Sequence, residues 1–265
     1  MTHLPPITVE TVLATRYVAP LREGGSLPGL VEGDDDGLWV VKFRGAGQAP
    51  RSLVAEWLAG EIGRALGLPI PEMRRVVIDP EMAMAEPDQE IKDLLRASPG
   101  LNLGIDYLPG SLNFDPAAGR EPAPALAADT VWFDSLVTNV DRRPPNPNLL
   151  VWHERLWLID HGAAFYAHHG DWRLEGAAGR PFPMIADHVL MPAAGPITEA
   201  DERLAGLLGP EAVAAIVDAL PDEWLDDEPA ATPDDRRAAY RRHIVGRLEA
   251  SRAFADEAEA ARRGA

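Results

Sequence analysis

Apolar and polar positions along the chain follow two rhythms. Short apolar runs bounded by Gly, Asp or Pro predict strands over Leu38–Phe43, Met73–Ile78 and Leu101–Leu108. A 3.6-residue rhythm in Leu53, Val54, Trp57, Leu58, Ile62 and Leu66 predicts a helix, with Ser52 as its cap and Gly67 and Pro69 ending it. A second helical face joins Leu126, Trp132, Phe133, Leu136, Val137 and Val140. Two short runs, Leu149–Trp152 and Leu156–Ile159, flank the polar His153-Glu154-Arg155 and predict a tight hairpin. Another hairpin is expected around Asp34–Gly37, which ends in Lys42 and Phe43. Periodicity leaves Ile7–Ala14 open between strand and helix, and Glu81–Ser98 reads as acidic and partly helical.

Beyond the second hairpin the pattern is helical. Helices are expected from Thr198 through Leu208, from Pro210 to Leu220, and as one long amphipathic element from Thr232 to about Ala261, whose Arg and Glu pairs read as a solvated face. Residues 111–124 are rich in Pro and Ala and read as a linker. The prediction is therefore α+β, with a β-rich part carrying one main helix over residues 1–110 and a mainly helical part over 111–265.

Composition narrows the partners. Hydrophobic residues make up 46% of the 265, yet no run approaches the roughly 18 apolar residues of a membrane helix, and the N-terminus has no secretory pattern. A cytoplasmic protein is the expectation. The absence of cysteine excludes disulfides, thiol catalysis and cysteine-bound metals. A net charge of −17 disfavours nucleic acid and anionic membranes as direct partners. Lys42 and Lys92 are the only lysines, so Lys42, on a strand between Val41 and Phe43, stands out as a compact cation suited to phosphate.

Candidate chemistry gathers around the second hairpin. Asp141 is followed five residues later by Asn146, just before the first strand, and Asp160 follows the second strand. A hairpin returns the chain, so Asn146 and Asp160 are expected to converge, and a carboxylate with an amide oxygen suits Mg²⁺. Asn148 is a second candidate ligand, and Asp141 would be free to act on a substrate. Upstream, Gly24, Gly25 and Ser26 form a glycine-rich stretch whose backbone could approach phosphates. Glu56 and Glu61 are both available to pair with Lys42; periodicity alone puts Glu61 in the apolar stripe. A zinc site from Asp160, His161, His168 and His169 would be the alternative chemistry, that of a metal-dependent hydrolase, although the helical H-x-x-x-H spacing is absent. Between His161 and Ile197 there is no Ser or Thr, which leaves Tyr166 as the only hydroxyl there.

Taken together, Val-Val-Lys42-Phe, the Glu56 helix ending in Gly67-Leu68-Pro69, Asn-Val-Asp141-Arg and Ile-Asp160-His-Gly resemble the HipA-like kinases of the protein-kinase-like superfamily. The Asp141 loop is also similar to that of phosphoinositide kinases. The likeness runs from about Gly24 to Asp160. It implies a bilobal kinase fold and an ATP- and Mg²⁺-dependent transfer to a Ser/Thr protein or a small hydroxylated acceptor. Lys42 would hold the α and β phosphates and pair with Glu56, and Asp141 would orient or deprotonate the acceptor. Asn146 and Asp160 would bind Mg²⁺, and Asp106, Tyr107 and Leu108 would form the hinge that meets adenine. The chain is shorter than founder HipA proteins, and its glycine loop is irregular, with Ser26 as a candidate self-phosphorylation site. A nucleotide-binding relative that transfers nothing is the other reading of the same residues.

Overall fold

The computed structural model describes residues 10–21, 27–46, 49–119, 122–170, 174, 176–226, 231–249 and 252–264. Five strands, β1 (Thr11–Pro20), β2 (Gly29–Gly33), β3 (Leu38–Lys42), β4 (Met73–Ile78) and β5 (Gly100–Asp106), close a barrel in the order β1-β2-β3-β5-β4. The pairings are antiparallel except for β1 with β4. Ile7–Ala14 resolves in part as strand, since β1 starts at Thr11. Val12, Val31, Trp39, Val41, Phe43 and Val76 fill the barrel. Because side chains alternate across a strand, Val41 and Phe43 face inward while Val40 and Lys42 point the other way, toward the larger core.

Helix α1 (Ala49–Ala65) lies on that side. It starts three residues before the expected cap, so Ser52 is inside it, and Pro50 sits in its first turn, where a missing N–H costs nothing. The amphipathic expectation does not hold either. Every residue from Leu53 to Gly63 is buried, because the barrel covers one side of α1 and the helical half covers the other. Gly60 permits this closeness: a Cβ there would meet Met73 Cε at 2.4 Å.

Helix α2 (Gln89–Ala97) adds Ile91 and Leu95 to the barrel core. The rest of the chain contains β6 (Leu112–Asn113), α3 (Pro124–Leu136), β7 (Leu149–Trp152), β8 (Arg155–Leu158), α4 (Ile197–Leu204), α5 (Pro210–Asp218), α6 (Pro233–Glu249) and α7 (Ala253–Gly264). β6, β7 and β8 form a small sheet. The β7–β8 turn falls at His153 (φ 46°) and Glu154 (φ 62°), the doubly positive geometry that matches strand twist in a two-residue hairpin. One core runs through α1, α3 and the later helices. Trp57 of α1 donates its indole N–H to Ile216 O at 3.1 Å and meets Trp224 edge-on at 6.5 Å, which braces α1 from behind.

Two expectations about the C-terminal region need correction. The single long helix is two, separated where Arg252 takes φ 49° and binds Asp201 at 2.7 Å. This turn lets α7 bury Phe254, Ala255 and Ala258 against the main core. The charged face is also not all solvated. Arg247 is 2% exposed and donates to Ser135 O (2.8 Å) and Leu136 O (2.7 Å), capping the end of α3. Among the described residues no helix is long and apolar enough to cross a membrane.

Candidate active site

Lys42 ends β3, buried between the barrel and α1. Its Nζ lies 2.5 Å from Glu56 Oε2 on α1 and 2.7 Å from Asp160 Oδ1, just past β8. Burial by itself would lower the Lys42 pKa, but Asp160 and Glu56 outweigh it and hold the ammonium above the usual lysine range. Burial would likewise raise Glu56, yet Lys42 and the hydrogen bond from His161 keep its carboxyl well below the usual carboxylate range. Glu61, the rival partner, instead stands 3.7 Å from Arg64. Helical periodicity favoured Glu61 only because it assumes one covered face; α1 is covered all round.

Asp160 adopts φ 54°, a left-handed conformation that is uncommon for a non-glycine residue and that concentrates at functional sites. His161 turns inward behind it. Its Nδ1 lies 3.3 Å from Glu56 Oε1, and its ring packs edge-on to Phe133 of α3 at 5.8 Å. Glu56 therefore spans Lys42 and His161, so the strand, the helix and the segment after the hairpin share one charged contact.

The Asp141 loop is built from α3 outward. The helix ends at Leu136, ahead of the expected Val140, and Thr138 (φ 49°) reverses the chain. Buried Asp134 then organises the loop beyond the turn. Its Oδ1 accepts from Asn139 Nδ2 at 3.0 Å, and Asn139 Oδ1 accepts the Asp141 amide at 3.1 Å. Its Oδ2 accepts from Arg142 Nε at 2.6 Å and from His188 Nε2 at 2.9 Å. Arg142 also donates to Asn148 O and, at 3.2 Å, to Ile159 O, so one buried guanidinium links the Asp141 loop to both ends of the hairpin. Burial would raise Asp134, but Arg142 and the His188 bond hold it below the usual range. Sequence reasoning missed Asp134 and His188, and it named Asn139 and Arg142 only as part of the Asn-Val-Asp141-Arg motif, without these roles. A polar residue within an apolar helix face, as Asp134 is, was the available signal.

Both asparagines approach Asp141. Asn146 is exposed, with Nδ2 at 2.8 Å from Asp141 Oδ2. Asn148 Nδ2 reaches Asp141 O at 3.3 Å, and its own carbonyl accepts the amide of Ile159, the residue before Asp160, at 3.1 Å. At the end of β5, the Asp106 amide is taken by Glu72 O (2.8 Å) and the Tyr107 amide by Leu38 O (3.0 Å), while the Leu108 amide has no partner among the described residues. Gly24, Gly25 and Ser26 lie outside the described residues.

The histidines do not assemble as a metal cage. His168 contacts Tyr240 OH (2.6 Å) and His169 (3.1 Å), and His169 donates to Ala164 O (3.0 Å). Among the described residues no group of three His, Cys, Asp or Glu stands where it could share a metal ion.

A lysine on a barrel strand joined to a helix glutamate and to the Asp after a hairpin is the arrangement of the protein-kinase-like superfamily. The profile of the HipA-like kinase family matches residues 15–254, nearly the whole chain. The chain belongs to the HipA-like kinase family. No curated protein sequence matches it. Among solved structures, the Helicobacter pylori proinflammatory kinase CtkA is similar in fold, with a TM-score of 0.57 at 11% identity, covering 97% of this chain and 99% of that one. The Golgi casein kinase with Mn/ADP bound gives a TM-score of 0.44 at 13% identity, covering 92% and 74%. The second likeness is too weak to argue from, and the first shows the fold alone. For this HipA-like chain, family membership carries phosphotransfer chemistry.

Proposed function

We propose that this chain is an ATP- and Mg²⁺-dependent kinase that transfers the γ-phosphoryl group to a Ser or Thr hydroxyl. The observation that carries this reading is Lys42 held between Glu56 and Asp160 at 2.5 and 2.7 Å. The two carboxylates exceed the one ammonium by a unit of negative charge, a donor set that suits a hard cation brought in with phosphates. Asp160 would hold Mg²⁺ together with an asparagine oxygen. The sequence pointed to Asn146, but Asn148 is better supported, since its carbonyl accepts the amide of Ile159, the residue before Asp160, whereas the exposed Asn146 side chain is bonded to Asp141 at 2.8 Å. Bound Mg²⁺ would neutralise phosphate charge during transfer.

The remaining steps fall to side chains and backbone of this chain. Lys42 binds the α and β phosphates, and the Leu108 amide, without a partner among the described residues, offers adenine a donor. Asp141, oriented by Asn139 and Asn146, accepts a hydrogen bond from the acceptor hydroxyl. The acceptor oxygen bonds to the γ phosphorus as the bond to the β–γ bridging oxygen breaks. ADP leaves, and the hydroxyl proton passes to Asp141.

The test is calorimetric titration of ATP, with and without Mg²⁺, into the wild type and an Asp160→Ala variant. Mg²⁺-dependent binding that the variant loses is the expected result. A folded wild type that binds no nucleotide would remove the proposal.

A further inference from the structure

Beside the Asp141 loop lies a trough of about 470 Å³, open to solvent along one side. One wall is Arg143, Pro144 and Pro145, and the other is the segment from Ala186 to Pro192. The first wall is a tight turn, because the Arg143 amide donates to Asn146 O at 3.2 Å and the Asn146 amide to Arg143 O at 2.9 Å. Arg143 is two residues from Asp141, so its Cα lies within about 7 Å of that of Asp141. Anything filling the trough is therefore a neighbour of the group that receives the acceptor's proton.

The second wall is fixed. The Val189 amide donates to Arg142 O at 3.0 Å, and His188 is pinned to Asp134 at 2.9 Å while accepting the Leu190 amide at 3.1 Å. Loop and opposite wall thus share the same buried carboxylate, so the trough is set against Asp141 by construction.

The lining indicates what fits. Val189 and Met191, both buried, give an apolar floor, and the prolines of the rim offer no N–H groups. Arg143 and Asp187 are exposed on opposite walls, and neither makes an ion pair among the described residues. A small ligand is ordinarily enclosed over roughly 70–90% of its surface, which an open trough cannot provide. An extended chain passing through needs no such enclosure. In a protein of net charge −17, an unpaired arginine facing an unpaired aspartate selects for local charge pattern rather than bulk charge.

We propose that this trough seats the acceptor as an extended polypeptide segment, with an acidic side chain against Arg143, a basic one against Asp187 and an apolar one over Val189 and Met191. The proposal rests on the phosphotransferase reading above. It is tested with the full chain, γ-labelled ATP and Mg²⁺, and a positional-scanning peptide library carrying one central Ser or Thr.

The wild type should favour an acidic residue at one position and a basic residue at another. Arg143→Glu should reverse the first preference and Asp187→Arg the second, each by about fivefold or more. Selection by both variants identical to the wild type would overturn the proposal, as would transfer confined to small hydroxylated compounds while Mg²⁺-ATP still binds. Calorimetry of the wild type with Mg²⁺-ATP runs alongside, and absence of binding there would show that the phosphotransferase reading itself had failed.

Discussion

Lys42 Nζ and Asp160 Oδ1 stand 2.7 Å apart across 118 residues of sequence. The contact exists only because β3, α1 and the end of the β7–β8 hairpin meet at one point, and Glu56 makes that point a buried ionic cluster.

Removing the ammonium should therefore cost stability as well as activity. Lys42→Met leaves Glu56 buried and ionised without its ammonium partner, a penalty of about 3–5 kcal/mol. Chemical denaturation should show this loss, and the double variant Lys42→Met/Glu56→Gln should recover most of it while remaining unable to transfer phosphate. A single variant as stable as the wild type would mean that Glu56 is not charged in the fold.

The two asparagines separate by metal dependence. Asn148→Ala should raise the Mg²⁺ concentration needed for half-maximal ATP turnover by tenfold or more, on the order of 1.4 kcal/mol. Asn146→Ala should lower turnover with little change in that concentration, because its amide nitrogen is bonded to Asp141. The reverse pattern would return the metal to Asn146.

Asp134 is buried away from the proposed substrate contacts, yet it positions Asp141 through Asn139 and the hairpin through Arg142. Asp134→Ala strands the buried Arg142 guanidinium and should destabilise by about 3–5 kcal/mol. Asp134→Asn keeps the shape and accepts fewer bonds. It should lower turnover while Mg²⁺-ATP affinity, read by calorimetry, stays near wild type. Loss of both together would assign Asp134 to the nucleotide site instead.

Acid should weaken the fold through its buried histidines. Burial pulls His243 down to about 4 and holds His168 and His188 below the usual histidine value of 6.5. The unfolded chain then binds protons that the folded one refuses, so stability is complete above about pH 6.5 and declines below it. For His243 the loss continues to about pH 4 at on the order of 1 kcal/mol per pH unit. Thermal melts between pH 8 and pH 4 check this, and His243→Phe, which keeps the ring, should flatten the slope.

What the sequence determined by itself was local. The strand ending in Lys42, the β7–β8 hairpin with its polar turn and the strand Met73–Ile78 were legible because apolar alternation and turn residues act over a few positions. The hairpin also made it possible to foresee that the residues flanking it would converge. Tertiary structure decided the rest. It paired Lys42 with Glu56 rather than Glu61, because two separate layers bury α1 on opposite sides and erase the single stripe that periodicity presumes. It broke the last helix at Arg252, where a bond to Asp201 in a different element fixes a left-handed residue. It also gathered Asp134, Arg142 and His188, up to 54 residues apart, around one carboxylate. A buried charge finds its partners by packing, over distances that no local pattern encodes.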